Sequence, residues 1–198
     1  MFRSYGEDLQ IIAVGDIEKE HAFQEAVQGV HGIIHTASPV TLAADDPQES
    51  ARQYGPLIQR IVLTSSCVAI LDTSDKEVTV SEKNWNNERV KECETLGRNA
   101  SPLSKYAASK TLAEQAAWDF VKSHCKLHWD LVVINPPWIF GPPIHELTGP
   151  KSLNPSCNLF FNALVNNDFM GMEPTERPGH GWVDVRDVAA AHIRALEV

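Results

Sequence analysis

Short apolar runs rich in β-branched residues alternate along this chain with stretches of helical spacing, and that alternation leaves few folds open. Leu9–Val14 is the first such run, ending at Gly15-Asp16-Ile17. Glu18 to Gln28 follows with Ala22, Phe23, Ala26 and Val27 at helical spacing, closed by Gly29. His31–Ala37 reads as a second buried strand, Ile61–Thr64 as a third and Leu131–Asn135 as a fourth, stopped by Pro136-Pro137. Strands that are apolar throughout, joined by helices, pack as a parallel sheet covered on both faces. The expected class is therefore α/β, a Rossmann-type doubly wound parallel sheet in one domain.

The remaining segments fit around that sheet. Ser38 to Gln59 is broken by Pro39, Pro47 and Pro56, with room for a short helix at Pro47–Tyr54 capped by Asp46. Asp72 to Gly97 is a polar excursion with at most a short edge strand near Val78–Val80. The longest helix opens at Ser101-Pro102 and runs to about His124. A Pro/Gly-rich loop spans Gly141 to Pro155, after which Ser156 can cap a helix to about Asn167. Gly181–Val185 reads as a strand, and Asp187 can cap a last helix over Val188–Leu196.

Composition excludes several function classes. A formal net charge of -9 without a basic cluster argues against nucleic acid and anionic membrane surfaces as partners. No apolar stretch is long enough to span a bilayer, and the first residues have no signal-peptide character. The 4 cysteines lack a C-x-x-C spacing, which fits reduced cytoplasmic thiols. His124, Cys125 and His128 have no second ligand cluster, so no metal site is expected and a helix end is their setting.

The chemistry concentrates between Ser65-Ser66 and Lys110. Tyr106 and Lys110 are four apart, one turn from each other on a helix face. An ammonium beside a phenol favours the phenolate, and a phenol so placed can exchange a proton with a substrate oxygen. Serine hydroxyls at a strand's C-terminal end can bond the same oxygen, because ligands of open α/β sheets bind there. A solvated helix face and a simple strand end are the plainer readings of the same residues. A Ser/His hydrolase lacks the G-x-S-x-G elbow.

Five segments in order resemble the extended short-chain dehydrogenase/reductases. They are His35-Thr36-Ala37-Ser38-Pro39, Ser65-Ser66, Tyr106-x-x-x-Lys110, Asn135 to Pro142, and Val183 to Ala189. The likeness is to the NAD-dependent epimerase/dehydratase superfamily, in its dihydroflavonol and cinnamoyl-CoA reductase branch with the fungal ketone and methylglyoxal reductases. It implies an NAD(P)(H)-dependent oxidoreductase that reduces a ketone or aldehyde, or oxidises a secondary alcohol. Ser66 would polarise the carbonyl, with Ser65 as the alternative. Tyr106 would be the general acid, and Lys110 would favour its phenolate and hold the nicotinamide ribose. Asp16 and Ile17 would flank the adenine, and Thr36, Ala37 and Ser38 would line the cofactor cleft. Pro136 and Ile139 would meet the carboxamide, and Ser156 a phosphate or ribose. The resemblance also implies a small carbonyl or alcohol substrate, part of whose site comes from residues 141–182, in a cytoplasmic monomer or homodimer.

The sequence departs from that family at its start, where a strand, a glycine-rich turn and a helix belong before Asp16. No G-x-x-G-x-x-G occurs, so the first βαβ unit is expected to be missing and the domain partial. NADP(H) is expected rather than NAD(H), although the residue that separates them follows the absent second strand. A catalytically inactive, truncated remnant and a nucleotide-sugar epimerase or dehydratase are the alternatives.

Overall fold

The computed structural model describes residues 2–17, 19, 21–37, 57–71, 77–124, 126–168 and 181–197. Three parallel strands, β1 (Gly32–His35), β2 (Arg60–Thr64) and β3 (Asp130–Ile134), lie in that spatial order. Ile33, Ile61 and Leu131 share one row of the ladder, and His35, Leu63 and Val133 another. A second parallel pair joins β4 (Trp138–Phe140) to β5 (Trp182–Asp184). The helices are α1 (Asn87–Leu96), α2 (Pro102–Ser123), α3 (Pro155–Val165) and α4 (Val185–Glu197). Parallel strands with helices between them make this an α/β, Rossmann-like arrangement.

Alternation along β2 decides what covers each face. Arg60, Val62 and Thr64 point toward α4: the Arg60 guanidinium donates to Ala195 O at 2.9 Å, and Thr64 Oγ1 meets His192 Nε2 at 2.7 Å. Ile61 points the other way, into a core of Val27 and Ile58 flanked by Phe23, Val30, Ile33, Trp129 and Leu131. α4 reaches close to the sheet because Gly32 has no side chain; a Cβ there would stand 2.5 Å from Leu196 Cδ1. Arg60 and Asp130, paired in register at the strand starts, join their side chains through two contacts of 2.6 Å.

Several expected elements differ. Leu9–Val14 forms no strand, and Ile11 is 88% exposed. A strand needs a neighbour to take its hydrogen bonds, and none lies beside this run among the described residues. Residues 21–29 form consecutive turns rather than a helix, bracketed by positive φ at His21 (64°) and Gly29 (76°). Val78–Val80 is not a strand, while the same excursion holds α1, capped by Asn86 and closed at Gly97. The cap of α3 is Asn154 rather than Ser156, because Pro155 takes the first helical position. α4 begins at Val185, so Asp187 lies in its first turn and the Asp184 carboxylate accepts the Arg186 N–H at 2.8 Å. The expected Pro47–Tyr54 helix and Ser38 fall outside the described residues.

Candidate active site

The C-terminal ends of β1, β2 and β3 lead into Thr36, Ser65 and Asn135. The β2–β3 ladder continues past the strands, with Ser65 N–H donating to Ile134 O at 2.8 Å and Cys67 N–H to Pro136 O at 3.0 Å. Ser66 then caps a single 3₁₀ turn, Cys67–Ala69, its Oγ accepting from Val68 N–H at 3.4 Å. The Ser66 carbonyl accepts twice, from Ala69 N–H at 3.0 Å and from the Asn135 side-chain amide at 3.1 Å. Ser65 is 9% exposed, and its hydroxyl has no hydrogen-bond partner among the described residues. Leaving a buried hydroxyl unsatisfied costs about 1–3 kcal/mol.

α2 lies against this turn. Ser101 starts it, its Oγ accepting from Ser104 N–H at 3.0 Å, with Pro102 at the first position. Its buried stripe is Ser104, Ala107, Ala108, Thr111 and Glu114. Small side chains in that stripe allow close approach, and the Thr111 hydroxyl is shared between Ala107 O at 2.8 Å and Ala69 O at 3.4 Å. Tyr106 and Lys110 occupy the neighbouring row of the helix. Tyr106 is 37% exposed and Lys110 is half-buried.

Electrostatics link Lys110 to the end of β1. Burial holds the Lys110 ammonium below its ordinary value. His35 is lowered as well, first by burial and then by the positive charge of Lys110. The Lys110 charge is thus felt at the last residue of β1, from which the chain leads into Thr36 and Ala37.

The other expected site residues divide by place. Thr36 and Ala37 are exposed beyond β1, and Pro136 is buried with its carbonyl bonded to Cys67. Ile139 lies in β4, paired with Val183. Asp16 is exposed and Ile17 half-buried ahead of the 21–29 turns. Ser156 stands in the first turn of α3, its hydroxyl donating to the Asn154 side chain at 3.2 Å. Ser38 is not among the described residues.

Two residues near this site carry no role in the sequence analysis above. Glu114 is 3% exposed and accepts from the Asn135 amide at 2.6 Å. His192 is 5% exposed and bridges Val188 O and Thr64 Oγ1, both at 2.7 Å. A carbonyl can only accept, so His192 Nδ1 carries the proton and Nε2 accepts from Thr64.

A ketoreductase of Aspergillus niger, azaE, is 34% identical over 205 residues, covering 94% of this chain and 58% of its own length. The NADPH-dependent methylglyoxal reductase GRE2 of Saccharomyces cerevisiae is 31% identical over 211 residues, with 93% and 58% covered. The crystal structure of Gre2 from Candida albicans in complex with NADPH superposes with a TM-score of 0.76 at 30% identity, over 99% of this chain and 62% of that one. The chain thus spans less than two thirds of the length of these relatives. The family described as NAD dependent epimerase/dehydratase matches residues 3–198, and with the parallel sheet and the position of α2 this establishes that the chain belongs to that family.

Proposed function

We propose that this protein reduces a ketone or aldehyde with hydride from NADPH, or oxidises the corresponding secondary alcohol. One observation carries the reading. α2 packs its Thr111 turn on the 3₁₀ turn that Ser66 caps, with Lys110 the residue before Thr111 on the same helix. The reductases named above, 31–34% identical, support the same chemistry.

The residues fit the nicotinamide end of the cofactor. The buried Ser65 hydroxyl has no hydrogen-bond partner among the described residues, and a polar ligand group at the strand end would satisfy it. Thr36, Ala37, Pro136 and Ile139 would line that end with Ser38, while Asp16 and Ile17 would flank the adenine and Ser156 a phosphate or ribose. The diphosphate end fits less well, because among the described residues no glycine-rich turn leads a strand into a helix.

When bound, the nicotinamide supplies the hydride. The Ser66 hydroxyl donates to the substrate oxygen and polarises the carbonyl. Tyr106 Oη gives its proton to that oxygen as negative charge builds there. Lys110 balances the charge left on the phenolate and orients ribose hydroxyls. Residues 141–182, of which 169–180 lie outside the described residues, contribute part of the substrate wall. A reducing, cytoplasmic setting belongs to the proposal and rests on the free thiols of Cys67, Cys93 and Cys157. No helix among the described residues is long and apolar enough to cross a membrane. We assign a monomer or homodimer to the active form.

In a second reading the chain keeps the reacting groups without useful cofactor affinity. NADPH fluorescence titration of the 198-residue protein separates the two. Saturable binding that Lys110→Ala weakens is the expected result. No saturation at millimolar NADPH would reject the reductase reading for this chain.

A further inference from the structure

We propose that Glu114 and Asn135 form a positioning clamp that fixes the Ser66 turn against the helix carrying Tyr106 and Lys110. The inference deepens the reductase reading and rests on its assignment of those three residues. The Asn135 side-chain amide donates both its hydrogens, one to Ser66 O at 3.1 Å and one to Glu114 Oε2 at 2.6 Å. Its partners dictate that orientation, since both are acceptors. The other Glu114 oxygen accepts from Trp118 Nε1–H at 3.3 Å. Glu114 is 3% exposed, so its carboxylate is tolerable there only because both oxygens are bonded.

The connectivity gives the clamp its consequence. Glu114 lies four residues after Lys110 and eight after Tyr106, on a helix that rises about 1.5 Å per residue. Asn135 ends β3, where the ladder to Ser65 and Cys67 continues. One amide therefore ties the helix of the proton donor, the end of β3 and the backbone of the serine that meets the substrate. The Ser66 carbonyl is held from two sides, by Asn135 and by Ala69 N–H, which fixes the direction of its own Cα–Cβ bond. A displacement near 1 Å at such a group costs about 10²-fold in rate. Neither Glu114 nor Asn135 is assigned a contact with substrate, so their role is to position.

Amide hydrogen exchange on the full chain tests this without requiring turnover. In Asn135→Ala and Glu114→Ala, exchange at the Cys67 and Ala69 amides should accelerate about tenfold, while Ile61, Val62 and Leu63 in β2 keep their protection. Carbonyl reduction should fall about 10–100-fold in kcat with little change in KM for NADPH. Glu114→Gln, which keeps an acceptor for Asn135 but turns a second donor toward Trp118, should fall between wild type and Glu114→Ala in both readouts, and it carries the test if the alanine variants do not fold. Unchanged exchange at Cys67 and Ala69 would overturn the clamp. So would a loss of protection spread equally through β2, or a full loss at Cys67 and Ala69 with undiminished kcat. A wild-type chain without NADPH binding or turnover would sink the reductase reading instead, and the exchange pattern would still decide whether the clamp exists.

Discussion

His35 shows how a single residue reports on the site. Burial and the Lys110 charge both oppose its protonation in the folded chain, so its folded value lies below the ordinary 6.5. At pH above 6.5 both states leave it neutral and it contributes no slope. As pH falls below 6.5 the unfolded chain takes up a proton that the folded chain refuses, and stability declines until the folded value is passed. Replacing His35 with Gln should remove that part of the acid slope. Urea unfolding of wild type and His35→Gln at pH 7.5 and 5.5 checks it: wild type should lose more stability over that interval. Equal losses would mean that Lys110 and burial do not act on this ring. Burial also lowers Lys110 below its ordinary value.

At the scale of elements, caps and partners explain what held and what moved. The start of α2 was legible because Ser101 and Pro102 mark it, and its end because His124 follows the last periodic residue and stacks on Phe120. Replacing Ser101 with Ala should cost about 0.5–2 kcal/mol in urea unfolding, since the Ser104 N–H loses its acceptor. A change below roughly 0.3 kcal/mol, within the scatter of ordinary surface substitutions, would show that Pro102 alone fixes the start. α1 was illegible because its attachment is polar. Arg89 donates to Glu92 at 2.6 Å and to Ser104 Oγ at 3.2 Å, and Ser104 donates to Glu92 at 2.8 Å, so no apolar stripe appears in Asn87–Leu96. Leu9–Val14 shows the converse. Its residues favour a strand, but pairing is a property of the neighbour, which no local pattern records. Ser65-Ser66, Tyr106 and Lys110 were readable as spacing, whereas Glu114 and Asn135 gain their meaning only from the contact of helix and strand.

For the whole molecule, α2 packs its Thr111 turn on the 3₁₀ turn that follows the C-terminal end of β2, beside the continued ladder to β3. The chain covers 62% of a relative's fold. The central claim is that this meeting place moves a hydride and a proton onto a carbonyl. The most direct measurement uses NADPH with both hydrogens of the reactive nicotinamide carbon replaced by deuterium, a small ketone or aldehyde, and mass spectrometry of the alcohol formed. The account predicts one deuterium per product alcohol with the wild-type chain, and a rate lower by about 10²–10⁴-fold in Tyr106→Phe. Unlabelled alcohol, no alcohol at millimolar cofactor, or an undiminished rate in Tyr106→Phe would contradict it.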